Sequence, residues 1–120
     1  MKIKISKEFD FEAAHTQESF PAEHKCRRVH GHSFKLIVSV AGEVDRETGM
    51  FYDHAIISEA VKPLIDKLDH TFLNDLPGLK SASMELFSEW LWKKLSPQLP
   101  GLYEIQIQET PRVVFSYKGD

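Results

Sequence analysis

His30-Gly31-His32-Ser33-Phe34-Lys35-Leu36-Ile37-Val38-Ser39-Val40-Ala41 alternates along its whole length. His30, His32, Phe34, Leu36, Val38 and Val40 share one parity, and the other parity holds Gly31, Ser33, Lys35, Ile37, Ser39 and Ala41. Successive side chains of a strand point to opposite faces, so the stretch predicts a long strand whose apolar face is continued by two histidines. Just upstream stands the chain's single cysteine, in Cys26-Arg27-Arg28-Val29-His30-Gly31-His32.

Moving upstream, residues 2–14 alternate in the same way. Ile3, Ile5, Phe9 and Phe11 oppose Lys2, Lys4, Ser6, Glu8, Asp10 and Glu12, the pattern of a half-buried antiparallel strand. His15 carries the apolar parity and points inward if the strand reaches it. Residues 16–29 have no strong period, contain Pro21 and read as a loop, longer than most connections and therefore a candidate for function.

Moving downstream, residues 42–49 are rich in turn formers, and Met50-Phe51-Tyr52 reads as a short partner strand closing a hairpin. Asp53 suits a helix N-cap, and Ile57, Ala60, Val61, Leu64, Ile65 and Leu68 make one apolar stripe at helical spacing. Pro63 interrupts the backbone bonding of that helix, which ends near Asp69-His70. Asn74-Asp75-Leu76-Pro77-Gly78 is a loop. Ser81 or Ser83 caps a second helix to about Leu95, with Leu86, Phe87, Trp90 and Leu91 inward and Glu85 in its first turn. Residues 103–110 alternate again, with Tyr103, Ile105, Ile107 and Glu109 on the inward parity against Glu104, Gln106, Gln108 and Thr110, and Val113–Tyr117 reads as a last strand. Strands at both ends with two helices between them indicate an α+β fold with the helices on one face of an antiparallel sheet.

The totals narrow the function classes. A chain of 120 residues fits one domain, 1–120, with a real core. A net charge of −3 argues against a nucleic-acid partner. One cysteine excludes an internal disulfide. There is neither a signal-peptide pattern at the N-terminus nor an apolar run long enough to span a membrane, so a cytoplasmic setting is expected.

Four groups carry possible chemistry. His30 and His32 either line a core edge or share a metal, and His15 at the end of an inward row favours the metal. Three imidazoles with an open fourth position describe a catalytic zinc site, although other divalent ions accept the same donors. Cys26 is either a small buried hydrophobe or, among Lys25, Arg27 and Arg28, a reactive thiol. Asp69-His70 is either a helix-end pair or a histidine oriented by a carboxylate for acid and base work. Glu109 follows Ile105 and Ile107 on the face expected to be buried, where a carboxylate needs a partner: an ion pair, or a ligand ring with adjacent N–H donors. His24 and His54 have no comparable argument and read as surface residues.

Taken together, Phe11-Glu12-Ala13-Ala14-His15, Cys26-x-x-x-His30-Gly31-His32, Gly42-Glu43-Val44-Asp45, Leu68-Asp69-His70, Leu73-Asn74-Asp75 and Glu109-Thr110 resemble the 6-pyruvoyltetrahydropterin synthase family over essentially the whole chain. The resemblance is to the bacterial 6-carboxytetrahydropterin synthase branch, because the pyruvoyl enzymes of animals usually place more residues between cysteine and histidine. It implies a tunnelling fold, a four-stranded antiparallel sheet with two helices on one face, in subunits that join into rings, commonly hexamers, with sites between subunits. It implies His15, His30 and His32 as zinc ligands, Cys26 as catalytic thiol with Asp69 and His70 as acid/base partners, and Glu109 as anchor of the pterin ring. The implied reaction is that of a carbon–oxygen lyase. It turns 7,8-dihydroneopterin triphosphate into 6-carboxy-5,6,7,8-tetrahydropterin with loss of acetaldehyde and triphosphate, a step towards queuosine. The alternatives are formation of 6-pyruvoyltetrahydropterin, or a ring protein that binds pterin or metal without catalysis. The chain departs from the family at Ala82-Ser83-Met84-Glu85, where many members carry Pro-Thr-Ser/Ala-Glu, and at Arg27, where a small residue is common.

Overall fold

A computed structural model describes residues 1–79 and 81–120. The two alternating stretches form the longest strands, β1 (Lys2–His15) and β2 (His30–Glu43), paired antiparallel from Lys2↔Glu43 to His15↔His30. The remaining elements are α1 (Ala55–Leu68), β3 (Thr71–Phe72), α2 (Met84–Leu95), β4 (Leu102–Thr110) and β5 (Val113–Tyr117). The sheet order is β3-β1-β2-β4-β5. No helix among the described residues is long and apolar enough to cross a membrane.

The sheet has five strands rather than four, and the added one is not where the hairpin reading placed it. Among the described residues, Met50-Phe51-Tyr52 makes the single bridge Asp45↔Met50. Phe51 turns its ring onto Gly42 instead: a Cβ there would lie 2.3 Å from Phe51 Cε1, so glycine makes room for the ring. The extra strand is Thr71–Phe72, which runs parallel to β1 at Ala13 and Ala14. It is steered there by the residues before it. Asp69 Oδ1 accepts the Glu12 amide at 2.8 Å, and the His70 amide donates to the Glu12 carbonyl at 2.5 Å.

Both helices cover one face of the sheet. Phe34, Leu36, Val38 and Val40 of β2 and Ile105 and Ile107 of β4 are buried against Ile57, Val61 and Leu68 of α1 and Met84, Phe87, Leu91 and Leu95 of α2. Asp53 Oδ1 accepts the Ala55 amide at the start of α1, although His54 is the capping position. Helix α1 continues through Pro63, which is exposed, so the carbonyl it leaves unpaired can meet water. Ser83 caps α2, its Oγ accepting the Leu86 amide at 3.3 Å.

Two inward assignments change. Leu86 is 46% exposed, and the inward stripe of α2 uses Met84 and Ser88 instead. Ser88 tolerates burial because its hydroxyl donates to the Met84 carbonyl at 2.7 Å. Tyr103 is exposed, because a register shift opposite Ser39 and Val40 inserts one extra residue into β4. A bulge of this kind flips the parity of everything beyond it, so Leu102 rather than Tyr103 packs on the core.

A candidate metal centre and the groups around it

The pairing of β1 with β2 places Ala13 opposite His32 and His15 opposite His30, on the same face as the core pair Phe11↔Phe34. All three histidines therefore gather where the apolar face runs out, at one end of the sheet. Phe34 lies beneath them, its ring centroid 5.9 Å from that of His15 and 5.5 Å from that of His32. Glu109 reaches the same place from β4. Ligand atoms of His15, His30, His32 and Glu109 all lie within 4.8 Å of one another.

Hydrogen bonds on the outer side of two rings fix which nitrogens face the centre. His15 Nδ1 donates to the Ala82 carbonyl at 2.8 Å, and His30 Nδ1 donates to the Arg28 carbonyl at 2.7 Å. A carbonyl only accepts, so both Nδ1 atoms carry the proton and the Nε2 lone pairs are free. This is the outer-shell arrangement that orients metal-ligating histidines. His15 Nε2 and His32 Nε2 are buried with no hydrogen-bond partner among the described residues. Burial, the largest influence, holds both His15 and His32 below the ordinary imidazole range, against the opposing pull of the Glu109 carboxylate on each.

These facts collide at Glu109. Its Oε1 is 3.1 Å from His32 Nε2 and 3.8 Å from His15 Nε2, spacings suited to ion pairs. An ion pair needs protonated imidazoles, while burial favours neutral ones; we take burial to win at His15, whose side chain is fully enclosed. Buried imidazole lone pairs that converge without a hydrogen-bond donor call for a cation, whether or not the Glu109 carboxylate reaches it. The residues present therefore fit a metal ion.

The titration has a consequence for the metal-free protein. Below about pH 6.5 an unfolded histidine binds a proton that folded His15 and His32 resist, so the unfolded state holds more protons. Stability present above pH 6.5 is expected to be lost progressively as pH falls towards the lowered folded-state values. Thermal melts of metal-free protein should show Tm falling between pH 7 and 5; a flat or rising Tm would contradict this.

The remaining sequence-derived residues are not among the grouped ligands. Cys26 sits, half-buried, in a 3-10 turn, Lys25–Arg27, just ahead of β2, and is not among the grouped ligands. Its amide donates to His24 Nδ1 at 3.0 Å, so His24, half-buried and stacked on Phe20, has a local structural task rather than a plain surface position. His54 is exposed, beside Lys7.

Asp69 and His70 form a closed pair. His70 Nδ1 donates to Asp69 Oδ2 at 2.9 Å, leaving Nε2 free, and the side chain of His70 is 79% exposed. The Glu12 amide, and after it His70, holds the Asp69 carboxyl below the usual carboxylate range. His70 adopts φ 59°, uncommon for a residue other than glycine and a form of strain that clusters at functional sites. It opens on a cleft of about 520 Å³ lined by Glu12, Ala14, Gly31, Ser33 and Phe72, and also by Ala13 and His32. Glu12, Ala14, Gly31 and Ser33 have the outward parity, so the cleft opens mainly on the helix-free face of the sheet.

Sequence parity found the three histidines and put Glu109 on the inward face. It did not reveal that Glu109 joins the histidines themselves, because the pairing of β4 with β2 is set by contacts far apart in sequence. In the sequence Ala82 stands out only as a departure from a family motif; in the structure its carbonyl is the partner of His15 Nδ1.

Fold and site together define an α+β protein with a candidate mononuclear metal centre at one end of a helix-backed sheet. The chain belongs to the 6-pyruvoyl tetrahydropterin synthase family, whose pattern matches residues 4–120. It is 42% identical over 112 residues to the 6-carboxy-5,6,7,8-tetrahydropterin synthase of Synechocystis, covering 88% of this chain and 85% of that one. It is 40% identical over 101 residues to the 6-pyruvoyl tetrahydrobiopterin synthase of Dictyostelium discoideum, covering 80% of this chain and 75% of that one. The solved 6-pyruvoyl tetrahydropterin synthase of Caenorhabditis elegans superposes with a TM-score of 0.89 at 29% identity, covering 100% of this chain and 97% of the other.

Proposed function

We propose that the chain is a zinc-dependent 6-carboxytetrahydropterin synthase of the cytoplasm. With one water, it converts 7,8-dihydroneopterin triphosphate to 6-carboxy-5,6,7,8-tetrahydropterin, with release of acetaldehyde and triphosphate, on the way to queuosine. The observation that carries the reading is the convergence of His15, His30 and His32 with two free, buried Nε2 atoms, in a chain of this family. The similarity to the Synechocystis enzyme and the short Cys26-x-x-x-His30 spacing favour the carboxy product.

His15, His30 and His32 would hold Zn²⁺, which supplies Lewis-acid polarisation of substrate oxygens when bound. The Cys26 thiolate takes a proton from the substrate side-chain carbon and becomes a thiol. His70, oriented by Asp69, relays a proton through its free Nε2. The Glu109 carboxylate accepts N–H donors from the pterin ring. Most of the cleft onto which His70 opens is lined by outward-parity residues, with His32 also bordering it, whereas the three histidines gather on the inward face. This supports a ring, a hexamer in this reading, in which the Asp69–His70 pair of one copy serves the metal centre of another.

Glu109 has two possible duties, and a variant separates them. As ring anchor, Glu109→Gln is expected to keep metal at wild-type stoichiometry and to lower kcat/KM by about 10- to 100-fold, the range for losing a charged hydrogen bond. Loss of metal in this variant would make Glu109 a ligand instead.

Mass spectrometry of the products from zinc-loaded protein and 7,8-dihydroneopterin triphosphate tests the function. A 6-carboxy product with acetaldehyde is expected. A 6-pyruvoyl product would establish the second reading, favoured by the Dictyostelium relative, and unchanged substrate would remove both.

A further inference from the structure

The Leu73-Asn74-Asp75 turn has no task in the function proposed above. Leu73 is fully buried and anchors this 3-10 turn in the core. Anchored there, Asn74 brings both ends of its side-chain amide to the main chain of one residue. The Thr16 amide donates to Asn74 Oδ1 at 2.9 Å, and Asn74 Nδ2 donates to the Thr16 carbonyl at 3.0 Å. That two-point match is what a neighbouring strand would offer, and it needs a side chain carrying donor and acceptor together.

Thr16 directly follows His15 and opens the loop that carries Cys26. No residue from Thr16 to Val29 is buried, so the loop has no apolar anchor and its shape rests on hydrogen bonds. Those bonds run outward from Thr16. Its hydroxyl donates to the Arg27 carbonyl, and the amide of Gln17 donates to the Cys26 carbonyl at 2.9 Å. Arg27 then closes the loop on itself, Nη1 donating to the carbonyls of Glu18 at 3.0 Å and Phe20 at 3.1 Å. This gives Arg27, the residue out of family pattern, a local use that does not involve substrate.

We infer that Asn74 is a positioning residue for Cys26: its amide clamps Thr16, and Thr16 holds the Cys26 turn at the metal-bearing end of β1. The same segment, a few residues earlier, holds Asp69 and His70 against Glu12. One stretch, 69–74, thus fixes the loop of the thiol and carries the proton-relay pair. The link to turnover rests on the reading of Cys26 as the catalytic thiol; the clamp itself does not.

Because Cys26 is the chain's single cysteine, its alkylation by iodoacetamide reads the turn without ambiguity. In metal-loaded protein, Asn74→Ala is expected to speed alkylation at least fivefold and to lower kcat more than it changes KM. Thr16→Val, which removes the hydroxyl bond to Arg27 and leaves the clamp, should speed it as well, and the double variant should exceed Asn74→Ala by less than twofold. Ser88→Ala, a buried hydroxyl lost elsewhere, should leave the rate unchanged. Alkylation of folded Asn74→Ala within twofold of wild type, or an equal acceleration in Ser88→Ala, overturns the inference. If Asn74→Ala does not fold, Thr16→Val decides by the same twofold criterion. Faster alkylation together with full turnover in Cys26→Ala would leave the clamp standing and remove the thiol from the mechanism.

Discussion

Cys26→Ala is expected to lower kcat by about 10³-fold while metal content and melting temperature stay at wild-type levels. Positioned proton transfer typically contributes 10²- to 10⁴-fold. The substitution is structurally mild because nothing in the turn depends on sulfur. The backbone of Cys26 is held by its amide bond to His24 Nδ1 and by the Gln17 amide on its carbonyl, and alanine keeps both. Nor is Sγ among the grouped ligand atoms, so the donor set of His15, His30 and His32 is untouched. Steady-state kinetics with metal analysis on the same sample checks this. A kcat within tenfold of wild type would remove Cys26 from the reaction, and loss of metal would place its sulfur on the ion.

His30→Ala is expected to act the opposite way, lowering metal affinity by more than about 100-fold and turnover with it. Changing groups that merely support metal ligands costs 10- to 100-fold, so removing a ligand should cost more. His30 is the best of the three to remove. His15 is fully buried and bonded to Ala82 from across the fold, so its loss would also open a cavity and leave a carbonyl unpaired. His30 is only partly buried, and its outer nitrogen bonds the nearby Arg28 carbonyl. Register between β1 and β2 is set by Phe11↔Phe34 and Phe9↔Leu36 and survives the change. Undiminished metal in folded His30→Ala would show that the three imidazoles are not a metal centre.

How far the sequence alone reaches can be judged from particular residues. Period-two patterning placed β1 and β2 within a residue or two, and the shared parity of His15, His30 and His32 placed them on one face before any pairing was known. Local patterning cannot see a bulge, and for that reason the alternation points Tyr103 inward while the structure exposes it. Nor does it see a strand created by tertiary bonds. Thr71–Phe72 has no alternation to detect; it pairs with β1 because Asp69 and His70 seize the Glu12 backbone. Met50-Phe51-Tyr52 has the composition of a strand but sends Phe51 into the space left by Gly42. The same limit applies at the site. Which face Glu109 occupies is a local property, but its 3.1 Å approach to His32 is not, and the clamp of Asn74 on Thr16 joins residues 58 positions apart.

The central claim, a metal-dependent pterin lyase, is tested most directly by triphosphate release from 7,8-dihydroneopterin triphosphate. Three samples suffice: wild-type protein as purified, after chelation, and after zinc is restored. Release by the first and third samples and loss of release in the chelated sample is the predicted result. No release from any of them, or equal release with and without metal, would contradict it.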